Sequence, residues 1–406
     1  MTGSAMGEGL LGGVRILDLT KATSGPFATQ ILADLGAEVI KIEEPPGTPH
    51  ERSIMQPELE LYGSMDPYFV SVNRGKRSVV LPLAHPRGKA TFYELVEQAD
   101  VVVHNYRPRV PRKLGVDHES LQRRKSDIIT CAISGYGGSG PLSDRAAFDI
   151  TVLAETGMLD YIGKSGEDGQ LAYPYVSVGD LAAGMYCAIA VPAALEYRRR
   201  TGRGRCIEVA MFDAVLSWFI GHGVTAMNFG ESPHVSDRSM WGVFTTATRP
   251  LVITAHREPQ WRSFCTAIDR REWLSDPRFA HPTARAQHIA ELRALANEVL
   301  GGKPADEWKA LFWENNVPFA EVRTMAEALH GEQAKARNMV LDLPAGERDI
   351  KLIGNPIKTD IRERGYAPPP RYGEDTTSVL RDLLGYGDHE IGEILSLGAA
   401  TGTAGR

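Results

Sequence analysis

Cysteine is scarce in this chain: four in 406 residues, at Cys131, Cys187, Cys206 and Cys265, and none forms a C-x-x-C pair. That spacing excludes a disulfide framework and points to reduced, buried thiols. No H-E-x-x-H run or His/Cys cluster is present, so no metal is expected. A surplus of positive charge is also missing. Lys plus Arg number 45 against 51 Asp plus Glu, a net charge of -6. Nucleic acid and anionic membranes both reward a basic surface, so neither is expected as a partner. A polyanionic small ligand needs only a local basic patch and stays open. No apolar run reads as long enough to span a bilayer. The stretch Met1 to Leu11 is Gly-rich, without a basic segment followed by an apolar one. No signal peptide is expected, and the expected location is cytoplasmic. Internal repeats and low-complexity segments are absent as well. What is present is 43% hydrophobic residues, enough for a full core without staples.

The first hundred residues alternate between two patterns. Apolar runs at Val14–Leu19, Glu38–Ile42, Ser78–Leu81, Val101–Val103 and Asp127–Ile133 read as strands. Pro26–Gly36 and Pro86–Gln98 carry apolar residues at helical spacing. Strands separated by helices imply an α/β fold with a parallel sheet, and near-continuous apolar strands fit a sheet covered on both faces. Ala182–Arg200 reads as a long helix stopped by Thr201-Gly202-Arg203-Gly204, followed by a strand at Ile207–Val209 and an apolar helix at Met211–Met227. The polar stretch Gly230–Met240 reads as a boundary. Two short β runs and several helices then suggest a smaller α+β domain, and a helical tail runs from Thr376 to about Leu397. The expected division is 1–205 with 330–406, a connecting region 206–235, and a small domain 236–329.

Gly135-Tyr136-Gly137-Gly138-Ser139-Gly140 matches G-x-G-x-x-G literally, but Pro141 follows and the string sits at the fifth strand. A dinucleotide fingerprint follows the first strand and opens a helix. NAD is therefore not expected, and a flexible loop over a site is the better reading. Basic residues gather at Asn73-Arg74-Gly75-Lys76-Arg77 and at Asn105-Tyr106-Arg107-Pro108-Arg109, with Arg112 and Lys113 close behind. The second group follows a strand, on the side of a parallel sheet where ligands bind. Both could hold phosphates, and Tyr106 could pack on a base. Solvated basic turns are the ordinary alternative.

Asp180 follows an apolar run and Gly179 and opens the long helix. An Asp there is a good helix cap; it is also an anion held poised by a helix N-terminus. Asp149, after the glycine string, is a second carboxylate. It raises the pKa of the first only if the two lie close together.

Taken in order, these segments resemble the class III CoA-transferase family, which also contains the α-methylacyl-CoA racemases. The likeness runs through Val14–Thr20 with Ser24-Gly25-Pro26, Leu32-Ala33-Asp34-Leu35-Gly36-Ala37-Glu38-Val39-Ile40-Lys41, Asn73–Ser78, Asn105–Pro108, Ser134–Gly137, Gly179-Asp180 and Thr201–Gly204. Glu332-Gln333, Ala336-Arg337 and Pro368-Pro369-Pro370 continue it. The resemblance implies a Rossmann-like large domain, a small domain, and two chains interlocked as a homodimer. It also implies coenzyme A and acyl-CoA as substrates, bound by residues of the first half (Asn73, Arg74, Lys76, Arg77, Asn105, Tyr106, Arg107, Gly135, Tyr136, Gly137). Asp180 would be the nucleophile, through a mixed anhydride and an aspartyl-CoA thioester, with Asp149 beside it.

Racemisation needs acid/base groups on both faces of the α-carbon. Racemases of the family carry a histidine before the aspartate that matches Asp149; here it is Phe148, which carries no proton. The transferase branch is favoured. Two departures stand out. Glu44 occupies a place where the family often has Arg, and no glycine-rich loop of the formyl-CoA transferase kind lies between Arg238 and Thr248. Phe148–Gly157 and Val178–Tyr186 look similar to transferases for small dicarboxylates such as itaconate or mesaconate, with succinyl-CoA as donor. Arg249, His256 and Arg257 are candidates for the distal carboxylate. A non-catalytic CoA-binding protein is the remaining alternative.

Overall fold

Six apolar runs form one parallel sheet in the computed structural model, which describes residues 9–45, 52, 65–165, 170–230, 240–345, 348–361 and 365–402. The Gly-rich start and most of the boundary near 231–239 lie outside the described residues. The strands are β1 (Arg15–Asp18), β2 (Glu38–Glu43), β3 (Arg77–Val80), β4 (Val101–His104), β5 (Ile129–Ser134) and β6 (Cys206–Ala210). Their order is β3-β2-β1-β4-β5-β6, all parallel. The chain winds outward from β1 in one direction and from β4 in the other. The crevice at the carboxyl ends of β1 and β4 is thus the topological switch point, where doubly wound sheets place ligands.

The helices of interest are α1 (Ser24–Asp34), α2 (Pro67–Ser71), α3 (Pro86–Glu97), α4 (Asp149–Glu155), α5 (Val178–Thr201) and α6 (Met211–Ser217). One face of the sheet is closed by residues of α1, α4, α5 and α6 around Ile16, Val101, Val103, Ile129 and Cys131. The other is closed by α3 and the C-terminal helices around Leu17, Ile40, Val79, Phe92 and Val102. Alternate residues of a strand serve opposite faces, so fully apolar strands are required.

The first unit comprises the chain to Ile220 and from Asn338; the second is Gly221–Arg337. Within the expected connection 206–235, the strand read at Ile207–Val209 is Cys206–Ala210, the edge strand of the sheet, paired with Thr130–Ser134. The second unit holds an antiparallel three-stranded sheet of β7 (Trp241–Phe244), β8 (Leu251–Thr254) and β9 (Phe319–Glu321). Its core is built on Trp261, Phe264, Trp273, Phe279, Trp308 and Phe312.

Two local expectations are corrected and one is filled in. The apolar helix predicted over Met211–Met227 is broken at Trp218 and Phe219 into Met211–Ser217 and Ile220–Phe229. After Val317 a strand and then short helices are the reading of the sequence; a hairpin, Val340–Ala345 with Arg348–Ile353, stands there among them. Finally, α5 is long and apolar enough to cross a membrane, with a mean hydropathy of 1.6 over its most apolar window. It packs against α1, α4, α6 and the sheet through Ala182, Ala183, Cys187 and Val191. Its other side leaves Met185, Tyr186 and Ile189 exposed, beside exposed Leu216 and Trp218.

Candidate active site

Asp180 does not cap its own helix. α5 begins at Val178, so Asp180 lies in the first turn, and the flanking Ser177 makes no side-chain cap bond. The open amides are met from outside. The Asp149 carboxylate, at the start of α4, accepts the N–H of Gly179 at 2.6 Å and of Asp180 at 3.2 Å. The approach is close: a Cβ at Gly179 would stand 3.2 Å from Asp149 Oδ1. Burial pushes the Asp149 carboxyl up, and the two amides and the Tyr173 hydroxyl pull it back.

With the cap supplied by Asp149, the Asp180 carboxylate turns to α1. Burial, and then the neighbouring Asp149 charge, raise its pKa from 3.8 to about 6, and the Ser24 hydroxyl and N–H at the start of α1 oppose the rise. α1 and α5 meet closely because residue 184 is glycine; a Cβ there would fall 2.7 Å from the Ser24 carbonyl oxygen. α1 follows β1, so this contact sets Asp180 beside the carboxyl end of the central strand.

Hydroxyl groups complete the neighbourhood. Thr23 Oγ1 lies 2.7 Å from Tyr68 Oη, which lies 3.2 Å from Ser177 Oγ. These contacts tie the entries of α1 and α5 to α2. Tyr173 donates to Asp149 Oδ2 at 3.5 Å. Burial and the charges of Asp149 and Asp180 hold its phenol above the usual range. Ser177, Tyr68, Thr23 and Tyr173 were not singled out from sequence, since single hydroxyl residues carry no spacing signal. Phe148, before Asp149, is 74% exposed and apolar.

The first basic cluster is structural. Lys76 is fully buried, with Nζ 2.9 Å from Asp18 Oδ2, 2.8 Å from Asn73 Oδ1 and 3.0 Å from the Pro26 carbonyl oxygen. Burial draws its pKa down to about 8, against the pull of Asp18. Asp18 is held well below the carboxylate range by Lys76 and Lys41, despite burial. Arg74 is clamped on Asp34 and on the Ile353 carbonyl. Arg77 engages Glu38, Asp375 and Ser378, while Asn73 donates to the Phe69 carbonyl. Asn73, Arg74, Lys76 and Arg77, expected to bind CoA, each hold an internal partner.

The second cluster divides. Asn105 grips the backbone of Lys21, accepting its N–H at 2.8 Å and donating to its carbonyl at 2.7 Å, which joins the ends of β1 and β4. Tyr106 stacks on buried His104 at 5.8 Å between centroids. Arg109 pairs with Asp144. Arg107, Arg112 and Lys113 are exposed and make no side-chain hydrogen bond or ion pair with the described residues. Free cations therefore stand at the carboxyl end of β4.

The glycine string is tied to its surroundings by two of its amides. The Gly137 amide donates to Ser134 Oγ at 3.0 Å, and the Gly138 amide donates to the Glu208 carboxylate. The Gly135 carbonyl accepts from Phe212 N–H, and Tyr136 is buried beneath the Arg145 guanidinium. In the second unit, Arg249 is taken by Glu327 at 2.8 Å and Glu321 at 3.3 Å, so it is not a free cation. Arg257 is exposed, and His256 packs on Trp241. Glu44 is raised by burial, opposed by Lys21.

Paired carboxylates beside the switch point of a doubly wound sheet form a candidate active site. The chain belongs to CoA-transferase family III, whose family model matches residues 11–376. It is a CoA-transferase, exchanging CoA between acyl-CoA thioesters and carboxylic acids. It is 33% identical to the acetyl-CoA:oxalate CoA-transferase of Acetobacter aceti over 378 residues, 90% of this chain and 94% of that one. It is 30% identical to the human succinyl-CoA:glutarate CoA-transferase over 401 residues, 96% of this chain and 89% of that one. The solved structure of Rv3272 from M. tuberculosis matches with a TM-score of 0.81 at 30% identity, covering 91% of this chain and 98% of that one.

Proposed function

We propose that Asp180 is the nucleophile that carries CoA from the donor thioester to the acceptor acid. One observation carries the reading. Asp149 takes the open amides of α5, so the Asp180 carboxylate is not used as the helix cap, and burial and the Asp149 charge raise its pKa to about 6. Such a carboxylate is still mostly ionised at neutral pH and more basic than a solvated one, as a covalent catalyst should be.

In this mechanism an Asp180 oxygen attacks the thioester carbonyl and the C–S bond breaks. A mixed anhydride forms and CoA leaves as the thiolate. The thiolate attacks the Asp180 carbonyl, expelling the donor acid and leaving an aspartyl-CoA thioester. The acceptor carboxylate attacks that carbonyl, releasing the thiolate again. The thiolate then attacks the acceptor acyl carbon and restores Asp180. The hydroxyls of Thr23, Tyr68, Tyr173 and Ser177 supply donors where negative charge develops on the tetrahedral oxygens. The free cations Arg107, Arg112 and Lys113 are assigned to CoA phosphates.

The acceptor assigned is a small dicarboxylate of the size of glutarate, itaconate or mesaconate, with succinyl-CoA as donor. The names of the glutarate-using relatives support this reading. Racemisation would need a proton carrier where Phe148 stands.

Oxygen bookkeeping tests the path. In a single turnover with succinyl-CoA and ¹⁸O-labelled glutarate, the released succinate takes its new oxygen from Asp180 and stays unlabelled. The label remains on the protein and enters succinate in the second turnover. Label in the first-turnover succinate would mean direct exchange and would rule the aspartyl path out.

A further inference from the structure

We infer that Asn105 is a positioning residue for the transfer: it holds the turn between β1 and α1 in the shape that sets α1 against the start of α5. The inference rests on the reading of Asp180 as nucleophile.

The turn runs from Leu19 to Thr23, and Ala22 stands in it with φ 57°. That is the left-handed region, which a residue with a Cβ seldom adopts and glycine adopts freely. Strain of this kind persists only where the surroundings over-determine it, and it gathers at functional sites. Upstream of Ala22, Asp18 Oδ1 accepts the Thr20 N–H at 2.8 Å, and Lys41 Nζ donates to the Thr20 carbonyl at 2.8 Å. Downstream, the Thr23 carbonyl accepts the Phe27 N–H at 2.8 Å as α1 begins. Between them the Asn105 side chain takes both backbone groups of Lys21, accepting its N–H at 2.8 Å and donating to its carbonyl at 2.7 Å.

The Lys21 carbonyl belongs to the peptide that joins Lys21 to Ala22. Rotation of that peptide plane changes ψ of Lys21 and φ of Ala22 together, and it is the movement that would carry Ala22 out of the left-handed region. The bond from Asn105 Nδ2 fixes the plane. Asn105 follows β4 and Lys21 lies beyond β1, so the fastening spans the topological switch point. Ala22 itself is exposed, so packing of its side chain does not supply the hold.

What the turn delivers is the start of α1. Thr23 Oγ1 lies 2.7 Å from Tyr68 Oη, which lies 3.2 Å from Ser177 Oγ just before α5. The Ser24 carbonyl lies against Gly184, one turn beyond Asp180, where a Cβ would fall 2.7 Å from its oxygen. Asp180 is therefore flanked along α5 by two contacts, one of them through Tyr68, with the residues that directly follow Ala22. A flipped Lys21–Ala22 peptide would shift both contacts, and the nucleophile with them.

A double-mutant cycle on Asn105 and Ala22 tests this, with exchange between succinyl-CoA and glutarate as the readout and a thermal melt of each protein. Asn105→Ala lowers kcat on the order of tenfold and leaves KM for the thioester within about twofold of the parent. Ala22→Gly takes the left-handed conformation without help and stays within about twofold of the parent in both. In the double variant glycine makes the fastening dispensable, and kcat returns to within about threefold of the parent. An unchanged kcat in Asn105→Ala overturns the inference, including the case where only the melting temperature falls. A loss confined to KM overturns it as well, because Asn105 would then be a contact for the thioester. So does a double variant as slow as Asn105→Ala. Should Asn105→Ala be unfolded at the assay temperature, the double variant decides: folded and active it supports the inference, unfolded it overturns it. Hydroxylamine trapping is run on the parent alongside. An adduct at Asp180 with no rescue by Ala22→Gly removes only the role of Asn105. No adduct at Asp180 in the parent removes the reading beneath it.

Discussion

Asp180→Asn abolishes exchange, by roughly 10⁴-fold or more, and leaves the protein at least as stable as its parent. The two effects have one origin. Burial and the Asp149 charge hold the Asp180 carboxyl at about 6 in the folded protein, above its ordinary 3.8. Between those two values the folded state binds more protons than the unfolded chain. Stability therefore falls as the pH rises through that window, and the penalty is complete above about pH 6. Its size is about 2 kcal/mol after allowing for partial contact with solvent. Asparagine removes the charge and keeps an oxygen on the side of Ser24. Thermal melts at pH 7 and pH 5 check this. The variant melts at or above the parent at pH 7, and the parent gains on the variant as the pH falls. A variant that melts several degrees lower at pH 7 would contradict the electrostatic account. One that keeps a tenth of the activity would contradict the chemical one.

Replacing Asp149 in two ways separates its charge from its hydrogen bonds. Asp149→Asn keeps an acceptor for the Gly179 and Asp180 amides but removes the charge beside Asp180. The acidic limb of kcat/KM then moves below pH 6, because the second-largest cause raising Asp180 is gone. Exchange falls only on the order of tenfold. Asp149→Ala removes the acceptor as well. The first turn of α5 loses its cap, which costs about 1 to 2 kcal/mol of stability. The nucleophile is no longer positioned, and exchange falls on the order of 100-fold or more. Equal losses in the two variants, in rate and in melting temperature, would show that Asp149 does not cap the helix.

The sheet was legible because its strands are short apolar runs between helical patterns, and burial on both faces leaves few other readings. The start of α5 was not. Its cap is Asp149, 31 residues upstream, so local sequence made Asp180 look like the cap. The internal partners of the Asn73–Arg77 cluster were not legible for a related reason. Asp18, Asp34, Glu38 and Asp375 are brought in by the sheet, by the end of α1 and by the start of the C-terminal helix at Thr376. A run of basic residues carries the same letters whether it faces phosphate or a buried carboxylate. The break in the C-terminal tail carried a signal: Gly385 is left-handed, and Gly385-Tyr386-Gly387 separates Thr376–Leu384 from Asp388–Gly402. At the site itself, the carboxylate pair could be named from sequence but not measured. The distance between Asp149 and the α5 amides turns two acids into one device.

The most direct measurement is to trap the covalent intermediate. The protein is incubated with succinyl-CoA without an acceptor, treated with hydroxylamine, digested and mapped by mass spectrometry. The account predicts a hydroxamate on Asp180, absent in Asp180→Asn and absent without the thioester. A modified residue elsewhere, or none while exchange proceeds at full rate, would contradict it.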